Sequence, residues 1–366
     1  MKPETIAAQA ALATDQTGRR PGQPLLSIAL PTFNRELYLR ELLESLLPQF
    51  AGLPLGLAEL IVSDNCSDDL TPAMIASFQA RGLTCRFIRN QTNLGADGNF
   101  LQCLNLAQGQ YVWVLGDDDL IEPGAIATLL DLLQQGEYDL VYLSSYAFHN
   151  NQRSGDLNDK LGRIAEVVTD GAYFLEKVNA LIGLISVNIV NKNRLLTTPH
   201  PPIEQLNDTN LLQVGWLFPL VHQRMSVLFL WRRLVGYRSY NSGGWGICEV
   251  FGIRLERIAR QYFAAEPILA RSLMNGVLRY WLCDAILEMR RGRHARMNEE
   301  NFAHDIRHLF HGNWIYWVFV YPMAELPLPI AEAAHRVLAL VNKLTRIAQG
   351  LYRHVFQRGQ YLTPRS

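Results

Sequence analysis

Several features that define common protein classes are missing from this sequence of 366 residues. Its five cysteines are odd in number and widely spaced, and no CxxC pair occurs, so neither a zinc ribbon nor a disulfide framework is indicated. No apolar run reaches the ~20 residues that span a bilayer. Residues 1–24 lack the apolar stretch of a signal peptide. We therefore expect a flexible leader over 1–24 and a cytoplasmic protein with reduced thiols.

Two common phosphate-binding motifs are also missing. The sequence contains neither a GxGxxG dinucleotide fingerprint nor a GxxxxGK[ST] phosphate cradle. The formal net charge is zero, but residues 251–366 carry 16 Lys+Arg against 9 Asp+Glu, a net of +7 that leaves −7 on residues 1–250. Such a basic C-terminal part suggests contact with an anionic surface. We expect no nucleic-acid partner.

Apolar runs and amphipathic stretches alternate regularly from Leu25 onward. Strands are predicted over 25–30, 58–65, 84–90, 111–116 and 139–148. Helices are predicted between them, over 36–47, 70–82, 98–109 and 123–136. This βα repeat predicts a mainly parallel sheet with helices on both faces. Ligands of such sheets bind beyond the carboxyl ends of the strands.

Three adjacent carboxylates follow the fourth predicted strand, in the stretch YVWVLGDDDLIEPGA. Asp117, Asp118 and Asp119 repel one another unless positive charge lies among them. One interpretation is a solvated acidic turn before a helix that starts near Pro123. The other is a site for Mg²⁺ or Mn²⁺, which prefer oxygen ligands and can stabilise a departing diphosphate. The polar segments PTFNR and SDNCSDD end other strands at the same edge, which favours the metal.

Three segments resemble the family-two nucleotide-diphospho-sugar glycosyltransferases of the GT-A fold. They are LSIALPTFNR (26–35), LIVSDNCSDDLT (60–71) and NLGADGNFLQCLNLAQGQYVWVLGDDD (93–119). Together with YRSYNSGGW (237–245), the GDDD form is similar to the abequosyltransferase-like branch, which builds bacterial surface polysaccharides. The resemblance implies an α/β fold, with a Rossmann-like, mainly parallel GT-A sheet and a mostly helical C-terminal region.

The resemblance also implies a nucleotide-sugar site in the first half of the chain. The implied contacts with the nucleotide sugar are Pro31, Thr32, Asn34, Arg35, Asp64, Asn65, Gly95, Asp97, Asn99, Asp117 and Asp118. Asp64 would bond the nucleobase edge, although an Asx-turn after the strand is the alternative. The metal ligands lie among Asp117, Asp118 and Asp119. The literal D-x-D is Asp117 with Asp119, whereas an ungapped match places Gly116 at the first Asp and retains Asp118 with Asp119.

The second half offers a general base and a closing loop. An inverting transfer needs a base for the acceptor hydroxyl, and Asp208 is the first candidate, with Glu204 second. Asn207 or Asp208 capping a helix that begins near Thr209 is the alternative, and both roles can coexist. In YRSYNSGGWG, Arg238 is predicted to reach a phosphate and Trp245 to stack on a sugar or close the site, unless the segment is a plain surface turn.

Domain boundaries follow from these segments. We expect a GT-A domain over 25–248, with a nucleotide half over 25–145 and an acceptor half over 146–248, and a helical basic region over 249–366. Within that region residues 334–356 predict a basic amphipathic helix with Val337 and Leu344 on its apolar side. It would either dock on anionic lipid headgroups at the inner face of the plasma membrane or pack on the catalytic domain.

The sequence therefore predicts a metal-dependent glycosyltransferase. It would move a sugar from a nucleoside diphosphate sugar to a hydroxyl of a glycan, lipid-linked or not, in O-antigen, capsule or exopolysaccharide synthesis. One alternative is a sugar-nucleotide nucleotidyltransferase, although PTFNR lacks the Gly-rich basic loop of such enzymes. The other alternative is a non-catalytic nucleotide- or glycan-binding protein of the same fold.

Overall fold

A computed structural model describes residues 18–149, 152–153, 156–158, 162–239, 246–292, 302–356 and 361–364. Its strands are β1 (Leu26–Thr32), β2 (Ala58–Asp64), β3 (Arg86–Arg89), β4 (Tyr111–Val114), β5 (Leu120–Ile121), β6 (Leu140–His149), β7 (Gln152–Arg153), β8 (Ala165–Val168), β9 (Asn188–Asn191), β10 (Val227–Arg238) and β11 (Tyr361–Leu362).

Helices follow most of these strands and dominate the C-terminal region. The α-helices are α1 (Glu36–Phe50), α2 (Thr71–Ala80), α3 (Gly95–Leu106), α4 (Ala125–Leu133), α5 (Gly171–Val178), α6 (Lys192–Leu195), α7 (Val214–Leu217), α8 (Leu255–Tyr262), α9 (Pro267–Val277), α10 (Cys283–Arg290), α11 (Phe302–Phe310), α12 (Tyr321–Glu325) and α13 (Leu328–Phe356). Short 3₁₀ helices cover Asn179–Gly183, Ile185–Val187, Ile203–Leu206 and Phe218–Leu220, and π-helical turns cover Cys248–Arg254, Leu278–Leu282 and Tyr316–Val320.

The described strands join one sheet in the order β11-β8-β10-β6-β9-β4-β1-β2-β3, with β5 paired to β10 and β7 to β6. β1 pairs in parallel with β2 and β4, and β2 with β3, so the predicted parallel core is confirmed. Two of the features that were not predicted shape the middle of the sheet. β9 runs antiparallel between β4 and β6, and β10 is a long parallel partner of β6.

Helices cover both faces of the central strands. All seven residues of β1 are buried, with Ile28 packed in the same cluster as Leu39 of α1 and Ile75 of α2. The next residue, Ala29, belongs to the cluster on the opposite face, which includes Leu104 of α3 and the C-terminal helices. Strands buried on both faces read as continuous apolar runs, which explains why the sequence signal of β1 is so clear.

The C-terminal chain is built onto this core and returns to the sheet. Tyr361–Leu362 pairs antiparallel with β8 at the sheet edge. None of the helices in the described ranges combines the length and apolarity of a membrane span. All five cysteines have free thiols, in agreement with the missing disulfide framework.

The apolar stripe predicted on the last helix faces outward. Val337 is 62% exposed and Leu344 is 57% exposed. The opposite side of α13 makes the packing contacts, with Ala331 fully buried and Asn342 Oδ1 accepting a bond from Arg279 Nε at 2.8 Å. The helix therefore packs on the rest of the chain, as the second alternative expected, but through the side with Ala331 and not through the apolar stripe.

Candidate active site

The carboxyl ends of β1, β2 and β4 bring the three polar segments together. In the sheet register Thr32, at the end of β1, stands opposite Asp64, at the end of β2. The Thr32 Oγ1 donates a hydrogen bond to Asp117 Oδ2 at 2.7 Å. The backbone N–H of Asn65 donates to the Thr32 carbonyl at 2.8 Å. The segments PTFNR, SDNCSDD and GDDD therefore meet at one edge of the sheet.

Asn34 connects the segment PTFNR to the segment SDNCSDD through hydrogen bonds. Its φ of 51° lies in the left-handed region, which Asn tolerates better than most residues. Its backbone N–H donates to Ser67 Oγ at 2.9 Å, and its Oδ1 accepts from the Asp68 N–H at 2.9 Å. Asn34 thus belongs to the framework of the loops and does not border the cavity described below.

Two of the three adjacent carboxylates are buried. Asp117 is 4% exposed and Asp119 is 7% exposed, whereas Asp118 is half-buried. Burial raises the pKa of Asp117 to about 6 against the opposing effect of the Arg35 charge. Burial and the charge of Asp118 likewise raise the pKa of Asp119 well above its ordinary value. Because the cluster is desolvated and caps no helix, its interpretation as a solvated acidic turn is wrong.

Arg35 supplies positive charge beside the cluster. Its Nη1 lies 3.1 Å from Asp117 Oδ1 and 3.4 Å from Asp118 Oδ2. With Thr32 on the other oxygen of Asp117, both oxygens of that carboxylate are engaged. In this ion pair the Asp117 side chain is buried, whereas the Arg35 side chain is 38% exposed. The guanidinium is therefore accessible from the cavity.

Arg238, at the end of β10, fixes the backbone and side chains of the acidic loop. Its backbone N–H donates to Asp119 Oδ1 at 3.1 Å, and its Nε donates to the Asp118 carbonyl at 3.1 Å. The guanidinium also pairs with Glu41. Arg238 borders the cavity, and its guanidinium also holds the acidic loop in place. The phosphate contact expected of Arg238 stays a prediction. Trp245, the other predicted residue of this segment, lies outside the described residues.

Oxygen atoms of the cluster converge at Gly116. A Cβ atom added there would lie 3.2 Å from Asp119 Oδ2 and from Ser186 Oγ, and 3.3 Å from Asp118 Oδ1. Within the described ranges no set of three or more acidic, His or Cys side chains could hold a metal ion by itself. Mg²⁺, however, normally uses one or two carboxylates and completes its shell with substrate phosphates and water. Asp118 and Asp119 fit that arrangement, because Asp118 Oδ1 and Asp119 Oδ2 converge beside Gly116.

An asparagine network forms the wall beside the cluster. Asn65 Nδ2 donates to Asn93 Oδ1 at 2.7 Å and to the Gly95 carbonyl at 3.0 Å, and its Oδ1 accepts from the Leu94 N–H at 2.8 Å. Gly95 has a φ of 74° and no atom within 4 Å of the place where a Cβ would lie. A ligand can therefore approach the backbone closely at this position.

Asp64 and Asn99 hold the sheet edge from within. Asp64 is fully buried, accepts from the Ser67 N–H at 3.0 Å and lies 3.2 Å from Arg89 Nε. It does not border the cavity. Its hydrogen bond comes from the residue three positions on, one further than in an Asx-turn, so it holds the loop that follows β2. Asn99 Nδ2 donates to the Ser63 carbonyl at 3.0 Å, and Asn99 also reaches the cavity wall.

Asp97 links the first half of the site to the segment with the predicted base. The backbone N–H groups of Asp208 and Asn210 lie near its carboxylate and favour its charged form. Burial raises the pKa of Asp97, and the negative charge of Asp208 raises it further. Asp97 and Asn210 border the cavity.

The predicted base candidates lie away from the cavity wall. Asp208 is exposed with a φ of 61°, and Glu204 is exposed in the 3₁₀ helix Ile203–Leu206. The prediction of a helix that begins near Thr209 and is capped by Asn207 or Asp208 is wrong. The helix begins at Val214, and no side chain caps it. The structure thus brings neither carboxylate to the acidic cluster, and their catalytic role stays a prediction.

One cavity of about 1170 Å³ unites the site. The predicted residues on its walls are Pro31, Thr32, Arg35, Asn65, Gly95, Asp97, Asn99, Asp117, Asp118, Asp119 and Arg238. Its other walls come from Ser186 and from the C-terminal helices, including Phe251, Trp281, Asp284 and Glu288.

The segments that build the acidic edge of this cavity match a known protein family. The sequence profile described as Glycosyl transferase family 2 matches residues 27–184, from β1 to beyond the acidic cluster. The chain carries a family 2 glycosyltransferase domain.

This glycosyltransferase domain is similar to two named bacterial enzymes. Abequosyltransferase RfbV of Salmonella typhimurium is 40% identical over 106 residues, which cover 29% of this chain and 31% of that protein. A Campylobacter jejuni enzyme, named GalNAc(5)-diNAcBac-PP-undecaprenol beta-1,3-glucosyltransferase, is 35% identical over 115 residues, which cover 31% and 36%. The chain thus matches about a third of the length of these curated relatives.

Solved structures support the same fold for the chain as a whole. S. aureus TarS in complex with UDP-GlcNAc superposes with a TM-score of 0.55 at 18% identity, over 84% of this chain and 87% of that chain. At this identity the likeness shows the fold alone. The predicted GT-A fold with a helical C-terminal region is confirmed.

Several residues that border the candidate site were not predicted from the sequence. Ser186 has no local signal, because it reaches the cluster from the 3₁₀ helix Ile185–Val187 through tertiary packing. A local sequence signal does exist for Trp281, Asp284 and Glu288. Their spacing of three and four residues places them on one side of a helix.

Proposed function

We propose that this protein transfers a sugar from a nucleoside diphosphate sugar to a hydroxyl group of a bacterial surface glycan. The observation that carries the proposal is the desolvated cluster of Asp117, Asp118 and Asp119 at the strand ends of a family 2 domain, on the wall of a large cavity. The name of the Campylobacter relative includes an undecaprenol-linked glycan, which supports a lipid-linked acceptor for this chain.

In this proposal the acidic cluster and the residues beside it have different roles. Asp118 and Asp119 would hold Mg²⁺ or Mn²⁺, which supplies Lewis-acid stabilisation to a departing diphosphate. Arg35 adds positive charge from the chain itself at the same edge. Gly95 leaves room for the nucleotide against the backbone. Arg238 and Ser186 keep the acidic loop in one geometry before substrate arrives.

Two carboxylates are candidates for the general base that removes the proton from the acceptor hydroxyl. Asp208 matches the expected place in the sequence but is exposed off the wall. Asp97 borders the cavity, and its burial raises its pKa toward the range that suits a general base. Asp97 lies near the backbone of Asp208, and of the two carboxylates only Asp97 borders the cavity.

A thermal-shift screen tests the donor half of the proposal. The full chain is heated with UDP, GDP, CDP or dTDP, each with Mn²⁺ and with EDTA. Ligand at 100 times its Kd stabilises a protein by about 2.7 kcal/mol, so at least one nucleotide is expected to raise the Tm in the presence of Mn²⁺. No rise with any of the four would contradict the proposal. Metal-dependent hydrolysis of the matching nucleotide sugar would separate an enzyme from a non-catalytic binding protein.

We further propose that α13 lies on an anionic membrane at the inner face of the plasma membrane. Its exposed apolar stripe consists of Ile330, Val337, Leu340, Val341, Leu344 and Ile347. Arg336 and Lys343 run along one edge of the stripe, and both are exposed. Glu332, four residues before Arg336 on the same edge, already pairs with Arg291 at 3.0 Å. The charge pattern therefore favours anionic headgroups over a second copy of the chain.

Sedimentation with vesicles tests this surface. The wild type is expected to sediment with phosphatidylglycerol vesicles and much less with phosphatidylcholine vesicles. The double variant Leu340→Gln, Leu344→Gln should lose most of this binding, and Leu55→Gln, at a fully exposed position elsewhere, should keep it. Point substitutions are preferable to truncation because β11 follows α13 and pairs with β8. Equal sedimentation of both variants would contradict the proposal.

A further inference from the structure

Part of the cavity wall comes from helices outside the matched family 2 domain. Trp281 ends the π-helical turn Leu278–Leu282, and Asp284 and Glu288 follow on α10. These three positions are three and four residues apart, so they lie on one side of a continuous helix. Trp281 packs in part against the core cluster, but two carboxylates on the same side of the helix are not what core packing requires. The cavity that all three residues border offers an explanation for them.

The size of the cavity leaves room for a second substrate. Sites for one drug-sized ligand commonly measure ~300–1,000 Å³, and this cavity measures about 1170 Å³. The donor half is defined by Gly95 and the acidic cluster on the sheet edge. The helix side with Trp281 lines the same cavity, so a molecule seated there shares one open cavity with the donor.

The side chains on this helix match the chemistry of a sugar ring. Trp281 is half-buried, and Phe251 supports its ring at a centroid distance of 4.6 Å and an interplanar angle of 60°. The face of an indole ring is electron-rich and apolar, and it can stack on the C–H face of a pyranose. Carboxylates act only as acceptors, so Asp284 and Glu288 suit the hydroxyl donors on the rim of such a ring.

Contacts with α13 hold one of these carboxylates in position. Asp284 Oδ1 lies 2.6 Å from Nε2 of His335. His335 stands nine residues before Leu344, so the two point to opposite sides of the helix at 3.6 residues per turn. The helix that carries the exposed apolar stripe on one side thus contacts the cavity wall through the other. His335 is a positioning residue in this arrangement.

We propose that Trp281, Asp284 and Glu288 form the subsite for the acceptor sugar, and that this subsite binds a pyranose ring with neighbouring free hydroxyl groups. The inference rests on the proposed function and extends it, because it places acceptor recognition in the C-terminal helices. Trp281 supplies the stacking surface, and the two carboxylates accept hydrogen bonds from the hydroxyls. The acceptor hydroxyl then enters the same cavity as the donor bound at the acidic cluster.

Saturation-transfer NMR with simple sugars tests the subsite. The probes are the methyl pyranosides of glucose, galactose, mannose and rhamnose, added to the full chain with Mn²⁺ and the nucleoside diphosphate that raises its Tm. At least one pyranoside is expected to bind. Trp281→Ala should weaken that binding roughly tenfold or more, and Trp281→Phe should restore most of it. Trp314→Ala is the matched control, because Trp314 is 65% exposed and lies off the cavity wall.

The nucleotide readout separates the two possible failures. Each variant is also tested for its Mn²⁺-dependent thermal shift, which the Trp281 substitutions should leave unchanged. The subsite is refuted if no pyranoside binds the wild type, or if Trp281→Ala binds it as tightly. Loss of the nucleotide shift in the wild type would instead refute the proposed function. Glu288→Gln should weaken pyranoside binding without removing it, as expected for the loss of one charged acceptor.

Discussion

The acidic cluster is expected to destabilise the fold that carries it. Each pKa unit between the folded and unfolded states corresponds to about 1.36 kcal/mol. The pKa of Asp117 rises from 3.8 to about 6, so ionising this one group at pH 8 costs the folded state about 3 kcal/mol. This cost is considerable beside the ~5–15 kcal/mol that stabilises a whole domain.

Asp119→Asn removes one charge from the cluster and tests this cost. In the wild type, Asp119 accepts a hydrogen bond from the backbone N–H of Arg238. The amide oxygen of Asn can accept the same bond. In metal-free buffer we expect the variant to be more stable than the wild type by about 1–3 kcal/mol at pH 8. A raised folded pKa means that the folded wild type takes up its proton before the unfolded chain does. The advantage of the variant therefore shrinks as the pH falls from 8 toward 4.

Urea unfolding at pH 8 and at pH 5, with EDTA, measures the effect. Asp68→Asn is the control, because Asp68 is an exposed carboxylate in a loop of the same sheet edge. It should change the free energy of unfolding little at either pH. A variant Asp119→Asn that is less stable than the wild type at pH 8, or equally stabilised at both pH values, would refute the reasoning.

Three further substitutions test separate parts of the site. Gly116→Ala places a methyl group within 3.3 Å of two carboxylate oxygens of the cluster and of Ser186 Oγ. Calorimetry should show weaker nucleotide binding with Mn²⁺ but little change without it. Thr32→Val removes the hydrogen bond to Asp117, which should raise the pKa of Asp117 and lower the free energy of unfolding by roughly 1–3 kcal/mol at pH 8. Asp208→Asn should keep the Mn²⁺-dependent nucleotide shift and lose sugar transfer; a fully active variant would exclude Asp208 as the base and leave Asp97.

The first half of the fold could be predicted because its signals are local. β1, β2 and β4 are buried runs, and each helix between them shows its own period, so the order of elements fixed a parallel sheet. The polar residues after those strands had to meet at one edge. The meeting of Thr32 and Asp117 follows from that topology.

The rest depends on contacts between distant parts of the chain. Nothing in NIVN predicts that β9 runs antiparallel between β4 and β6. Asp208 and Asn210 both adopt positive φ, with values of 61° and 59°, so the helix expected there is replaced by turns. The amphipathic pattern of α13 was visible, but the pattern alone could not tell which side packs. The structure shows that the side with Ala331 does.

The central claim is that the acidic cluster binds a divalent cation together with a nucleoside diphosphate. Titration of Mn²⁺ followed by electron paramagnetic resonance, with and without the nucleotide from the thermal-shift screen, measures this directly. We expect Mn²⁺ to bind tightly only when the nucleotide is present, with loss of binding in Asp119→Asn and normal binding in Asp68→Asn. Nucleotide binding that is equally tight in EDTA, or Mn²⁺ binding that survives in Asp119→Asn, would contradict the account.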